Sequence, residues 1–234
     1  MASDGSGGVD LRLAAALAAA KSSGAVIRRL GRGGRSASPG QIADRIDPGL
    51  LGKVAGRLPQ GAIVVAGTNG KTTTSRMIAD ILEASGRIVA HNRSGSNLVR
   101  GVASAFAERS SLLGNPRADC AVIESDEAAL PDILRQVRPR VLVLNNLFRD
   151  QLDRYGELAA IAGKWAPALR ALDARAIVVA NGDDPMLAAL TEDLAARRVL
   201  LGLDDANPAY QLERLPHAVD SATCRSCGAD LVYD

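Results

Sequence analysis

The sequence predicts an α/β fold built on a mostly parallel sheet, and three observations lead there. Short apolar runs recur along most of the chain and are separated by segments with helical patterning. These runs are apolar on both faces, as strands must be when helices cover both sides of their sheet. The polar clusters fall where the runs end. In a parallel sheet those carboxyl ends are where ligands sit.

The elements follow in order. Leu11 to Leu30 is alanine-rich and reads as a helix. A loop of Gly31, Gly33, Gly34, Ser36, Ser38 and Pro39 ends it. Gln41 to Leu58 is a second helical stretch, interrupted near Pro48. From Gly61 the rhythm becomes strand and helix. Strands are expected at Ala62–Ala66, Ile88–His91, Cys120–Glu124, Val141–Asn145 and Ala176–Ala180. Helices are expected at Thr73–Ser85, Leu98–Arg109, Glu127–Val137 and Glu157–Leu172. Beyond these, Pro208, Pro216, His217 and the pair Cys224 and Cys227 break the rhythm and suggest an insertion or second module. The expected organisation is therefore a helical segment over residues 1–60, a central domain over 61–205 and the start of an insertion over 206–234.

Bulk properties narrow the function classes. A chain of 234 residues is long enough for a substantial core. Its formal net charge of +2 and its 3% aromatic content argue against a nucleic-acid partner, which would want a basic surface or stacking platforms. Three cysteines are too few for a disulfide framework, so a cytoplasmic location is expected. No apolar run approaches the ~20 residues of a membrane span. Leu11 to Ala20 is apolar apart from Arg12, but Asp4 and Asp10 precede it where a secretory signal would carry positive charge. Arg28, Arg29, Arg32 and Arg35 read first as a solvated basic segment, with peripheral contact to an anionic membrane face as the alternative.

Chemistry concentrates at the strand ends. After the run Ile63–Ala66 come Gly67, Thr68, Asn69, Gly70, Lys71, Thr72 and Thr73, and then a helical pattern. A strand, a glycine turn, a lysine, hydroxyls and a helix N-terminus are the parts of a phosphate-binding loop. Lys71 supplies a full charge and Thr72 a hydroxyl for Mg²⁺. The strict pattern G-x-x-x-x-G-K-[ST] is not met, because Val65 stands at its first glycine. The second run ends in His91-Asn92-Arg93-Ser94-Gly95-Ser96-Asn97, where Asn92 and Ser94 suit a turn and helix cap while Arg93 and Asn97 could face a nucleotide. The third ends in Glu124-Ser125-Asp126-Glu127. Glu124, directly after the strand, is the metal candidate, Glu127 reads as helix-start chemistry, and Asp126 stays open between the two. The fourth leads into a long polar loop, residues 145–156, whose length itself suggests function. The fifth ends in Asn181-Gly182-Asp183-Asp184-Pro185, a turn with a helix starting at Pro185. Cys224 and Cys227, in a C-x-x-C-G knuckle, suit half of a tetrahedral Zn²⁺ site, with a redox pair as the alternative. Cys120 lies inside an apolar strand and reads as a small core residue.

Taken together, these clusters resemble the Mur ligase family, whose phosphate loop reads G-T-N-G-K-[ST]. Here it stands as Gly67-Thr68-Asn69-Gly70-Lys71-Thr72, which accounts for the displaced glycine. Asp47-Pro48, the segment from Asn92 to Asn97, the acids of Glu124–Glu127, the run from Asn146 to Glu157, the Asn181–Pro185 turn and the cysteine knuckle belong to the same resemblance. Its most discriminating part is Phe148-Arg149-Asp150-Gln151-Leu152-Asp153-Arg154-Tyr155-Gly156. The resemblance implies the family's central domain, binding ATP through Gly67, Thr68, Asn69, Gly70, Lys71, Thr72 and Thr73. Lys71 would meet the β/γ-phosphates and Thr72 the Mg²⁺, with Glu124 supporting the metal. Asn97 and Asn181 would line the nucleotide pocket. Cys224 and Cys227 would begin a four-cysteine zinc ribbon.

Within the family the likeness is nearest to the branch that amidates lipid II. Gln151 stands where other members usually carry a histidine that helps bind a second metal. The branch implies ATP-dependent activation of the stem-peptide D-glutamate α-carboxylate as an acyl phosphate. Ammonia released by a GatD-like glutaminase partner then gives D-isoglutamine. An aspartate used in that amidation belongs to a further carboxy-terminal domain, and this chain is expected to stop before it, so no catalytic residue is assigned. Lys164 lies where some members carry a carbamylated lysine, but reads here as a surface lysine. Two other functions remain open: a Mur-type ligase that adds an amino acid or extends folylpolyglutamate, and a non-catalytic nucleotide-binding fragment.

Overall fold

The computed structural model describes residues 9–29, 38–92, 99–147, 157–203 and 229. Fourteen elements appear among them, and six strands form a sheet in the order β2-β3-β1-β4-β5-β6. The strands are β1 (Ala62–Ala66), β2 (Val89–His91), β3 (Cys120–Glu124), β4 (Val141–Leu144), β5 (Ile177–Asn181) and β6 (Arg197–Leu201). The ladders β2–β3, β1–β4, β4–β5 and β5–β6 are all parallel, as the alternation of strand and helix predicts. No described helix is long and apolar enough to cross a membrane.

The chain divides into two compact units. The first joins Met1–Ala62 to Ser75–Ile123. It contains α1 (Leu11–Arg29), α2 (Ser38–Ile46), α3 (Leu50–Ala55), most of α4 (Lys71–Ala84) and α5 (Val99–Glu108). Leu13, Ala16, Leu17 and Ala20 recur at helical spacing on α1 and are buried. Gly40 lets α2 press against α5, since a Cβ there would lie 1.9 Å from the Arg100 carbonyl oxygen. Its amide donates to Ser104 Oγ at 2.7 Å. Near the start of α1, Lys53 bridges Asp10 and Asp47 at 2.8 and 2.7 Å. Pro48 splits the second helical stretch into α2 and α3, as its ring and missing N–H require.

The second unit joins Ile63–Thr74 to Glu124–Asp234. It holds most of β1, then β4, β5 and β6, with α6 (Leu130–Val137), α7 (Glu157–Arg170) and α8 (Pro185–Leu190). Val64, Val65, Leu142, Leu144 and Val178 give its strands a buried apolar core, and Trp165 and Leu169 of α7 are wholly buried. Burying side chains of this size contributes roughly 1.5–3 kcal/mol each.

Most expected elements lie within a residue or two of their predicted bounds. β6 is an addition. Its sequence Arg-Arg-Val-Leu-Leu is exposed at every position but the half-buried Val199, so it carries no buried-strand pattern. The third central helix also starts later than expected, at Leu130 and not Glu127. Asp126 causes this by turning the chain first. Its Oδ1 accepts Ala128 N at 3.0 Å and its carbonyl accepts Leu130 N at 3.0 Å. Pro131 then sits in the first helical turn, where a missing N–H costs nothing.

Candidate functional site

The glycine loop lies in the second unit, between the end of β1 and the start of α4. Gly67 adopts φ +142° and Gly70 φ +77°, conformations that side chains disfavour. Space also restricts Gly67, because a Cβ there would lie 2.9 Å from the Asn146 carbonyl oxygen and 3.0 Å from Asn145 Cβ. The glycine stands two residues after the Walker position, where the loop backbone passes against the tail of β4.

That tail braces the loop. Thr68 N donates to the Asn146 carbonyl at 3.1 Å, and Asn69 N donates to Asn146 Oδ1 at 2.8 Å. The amide groups of Asn145 and Asn146 return bonds to the Asn69 carbonyl at 3.3 and 3.2 Å. Asn145 Nδ2 also reaches Thr74 Oγ1 at 3.1 Å. The amides of Thr68 and Asn69 are therefore committed to Asn146. As in any helix, the first-turn N–H groups of α4 lack an intrahelical acceptor.

Lys71 folds back into the loop. Its Nζ donates to the carbonyls of Gly67 and Thr68, the latter at 2.9 Å, and lies 3.6 Å from Glu127 Oε2. Thr72 Oγ1 donates to Glu124 Oε1 at 3.0 Å. Glu124 is 3% exposed at the carboxyl end of β3. A hydroxyl and a carboxylate side by side at a helix start are hard oxygen donors of the kind Mg²⁺ takes. The donor set, the glycine conformations and the adjacent ammonium all fit a magnesium-bound nucleotide phosphate.

Asn181 ends β5, and its Oδ1 accepts Asp183 N at 3.0 Å to close the turn. Asp184 does more than start a helix. Its Oδ1 accepts Met186 N and Leu187 N at 3.0 and 3.1 Å, capping α8, while its Oδ2 accepts Leu147 N at 2.7 Å. The bond to Leu147 ties the end of β5 to the same tail that braces the glycine loop. Three further residues, Asn145, Asn146 and Trp165, hold the site in place. Asn145 and Asn146 open the polar loop read after the fourth strand, and Asn146 opens the family run, but neither was given a part in bracing the glycine loop. Trp165, the sole tryptophan, donates Nε1 to the Glu127 carbonyl at 2.8 Å.

Asn97, Cys224, Cys227, Gln151 and the rest of the 148–156 run lie outside the described residues, as do Arg32 and Arg35. Among the described residues no group of three or more His, Cys, Asp or Glu gathers as a metal site. Two clefts in the second unit contain no residue of the loop. One of about 350 Å³ lies along α7 and α8, and one of about 540 Å³ lies along α6 and α7. Lys164 lines the larger beside Arg138 and Asp173, apart from the loop residues.

Residues 65–226 match the Mur ligase middle domain. The chain belongs to the Mur ligase family. As a Mur ligase, it is 33% identical over 202 residues to subunit MurT of the glutamine-hydrolyzing lipid II isoglutaminyl synthase of Staphylococcus aureus (strain COL), covering 84% of this chain and 42% of that one. It is 37% identical over 179 residues to the MurT subunit of Streptococcus pneumoniae (strain ATCC BAA-255 / R6), covering 76% and 38%. The chain thus spans about two-fifths of the length of these curated relatives. Among solved structures, the MurF ligase of Thermotoga maritima in complex with ADP aligns with a TM-score of 0.55 at 20% identity, covering 67% of this chain and 36% of that one. That last likeness is one of Mur ligase fold alone.

Proposed function

We propose that this chain is the ATP-binding part of a MurT-like subunit that amidates lipid II. The observation that carries the nucleotide reading is the pair Thr72 Oγ1 and Glu124 Oε1, 3.0 Å apart at the end of a glycine loop that also holds Lys71. In this reading Lys71 and the first-turn amides of α4, from Lys71 to Thr73, hold the phosphates, while Thr72 and Glu124 hold Mg²⁺. Gly67, Thr68, Asn69 and Gly70 shape the loop, which is stiffened by Asn146. Asn97 and Asn181 belong to the nucleotide pocket. The two cysteines, Cys224 and Cys227, begin a structural Zn²⁺ site.

The chemistry follows from charge. A carboxylate is a poor electrophile, and two anions must meet before it can be activated. Lys71, the helix dipole and Mg²⁺ supply the positive field that permits this. The stem-peptide α-carboxylate oxygen takes the γ-phosphoryl group and ADP leaves. Ammonia nitrogen then forms the amide bond while phosphate departs and a proton is lost. A GatD-like glutaminase supplies the ammonia, and the reaction belongs to the cytoplasmic face of cell-wall synthesis. The likeness to MurT subunits over most of this chain supports that choice over an amino-acid-adding Mur ligase.

Two measurements test the reading. Calorimetric titration with ATP and Mg²⁺ should give saturable binding that is lost in Lys71→Ala. Unchanged affinity in that variant refutes the site. The full-length protein, mixed with a glutaminase partner, glutamine, ATP and lipid II, should yield amidated lipid II by mass spectrometry. Transfer of a free amino acid instead of ammonia would place the protein in another branch of the family.

A further inference from the structure

Glu127 is delivered to the loop by contacts that do not involve its own side chain. On one side Asp126 fixes the turn after β3, accepting from Ala128 N, Ala129 N and Leu130 N. On the other side Trp165, wholly buried on α7, donates to the Glu127 carbonyl at 2.8 Å. With its backbone held this way, Glu127 places Oε2 3.6 Å from Lys71 Nζ, and both side chains are largely buried, at 13% and 17% exposure. An ammonium has three N–H donors. Here two serve the carbonyls of Gly67 and Thr68, and the Glu127 carboxylate lies 3.6 Å from the nitrogen as its ion-pair partner. A phosphate that takes Lys71 must draw it away from this set.

We infer that Glu127 is a positioning residue for Lys71, a built-in anion that holds the ammonium within the loop and yields it to the phosphates. The inference rests on the nucleotide reading of the loop. Two physical effects act in one direction. The carboxylate competes with phosphate for the same cation, and it repels an incoming anion. Glu124 and Glu127 thereby divide the work. Glu124 meets the Thr72 hydroxyl on the metal side, and Glu127 meets the lysine. Glu127 lowers affinity for phosphate, and in return the lysine stays inside the loop with its direction set.

The sign of the effect makes this testable, because removing a metal ligand weakens binding whereas removing a competitor tightens it. ADP would be titrated without and with Mg²⁺ into the wild-type protein, Glu127→Gln, Glu127→Asp, Lys71→Met and the Lys71→Met/Glu127→Gln double variant. Calorimetry and Trp165 fluorescence would be read together, with urea midpoints recorded for each. Glu127→Gln is expected to bind magnesium-free ADP about five-fold tighter, the scale of a part-exposed ion pair. Glu127→Asp, which keeps the charge, should return toward the wild-type affinity. In the Lys71→Met background the gain should shrink, because the shared cation is gone. Unchanged or weaker ADP affinity in folded Glu127→Gln overturns the inference, and weakening seen only with Mg²⁺ overturns it in favour of a metal ligand. Absence of any ADP binding to the wild-type protein would instead overturn the nucleotide reading itself, and the inference with it.

Discussion

Replacing Asp184 with alanine should damage two regions at once, and the structure sets the size of the effect. The carboxylate is 5% exposed and divides its oxygens. Oδ1 caps α8 through Met186 N and Leu187 N, and Oδ2 holds Leu147 N. Losing the cap costs about 1 kcal/mol. Leaving the Leu147 N–H buried without this acceptor costs a further ~1–3 kcal/mol. The sum is about 2–4 kcal/mol, which for a chain of this length lowers Tm by about 4–16 °C. Asp184→Asn should cost about 1 kcal/mol less than alanine, since its carbonyl oxygen can still cap while its NH₂ meets the Leu147 N–H donor to donor. Urea denaturation followed by Trp165 fluorescence and far-ultraviolet circular dichroism would measure both variants. Because Leu147 follows Asn146, nucleotide affinity should fall alongside stability in the alanine variant. A loss below about 0.5 kcal/mol in Asp184→Ala, the range of ordinary surface changes, would refute this account. An asparagine variant as damaged as alanine would refute the division between the two oxygens.

Other outcomes follow from the same geometry. Gly67→Ala places a Cβ against Asn146 at a φ of +142° and should cost about 1–3 kcal/mol while abolishing ADP binding; a variant that binds normally would show that the loop is not held as described. Trp165→Phe keeps the buried ring but removes the bond to the Glu127 carbonyl, so urea titration should show a loss of about 1 kcal/mol, and no loss would deny that bond any part in stability. Lys53 and the Leu13 amide hold the Asp10 carboxyl below its ordinary value of 3.8. Its pKa is lowered in the folded state, so its stabilising share is present above that value and is lost as pH falls through the folded pKa. Acid titration by circular dichroism should therefore show a small part of the acid unfolding that is missing in Asp10→Asn, and an identical acid limb in both proteins would refute the assignment.

The sequence carried the fold wherever burial writes a pattern. β1 and β3 are buried at nearly every position, and their bounds were legible to the residue. β6 was not legible, because an edge strand with both faces exposed has no apolar period to read. At the candidate site the fold brings Lys71 to Gly67 and Thr72 to Glu124, and the sequence had already grouped these four by residue type and order at strand ends. The bracing parts of Asn145, Asn146 and Trp165 were not legible, although the polar loop holding the two asparagines was noticed, since those parts depend on which strand tail lies beside the loop and on what the indole reaches. Glu127 was read as the start of a helix. Its pairing with Lys71 needed the turn at Asp126, which depends on side-chain bonding to the backbone and not on periodicity.

The brace formed by Asn145 and Asn146 has a consequence for protein engineering. A designer who grafts only the eleven residues from Ile63 to Thr73 onto another sheet would carry over the lysine and the glycines. The neighbouring strand's tail, which accepts the Thr68 and Asn69 amides, would stay behind. Such a graft would own the motif without its stiffness. The transferable unit is two adjacent parallel strands with both their tails, and a search for similar loops should match that pair.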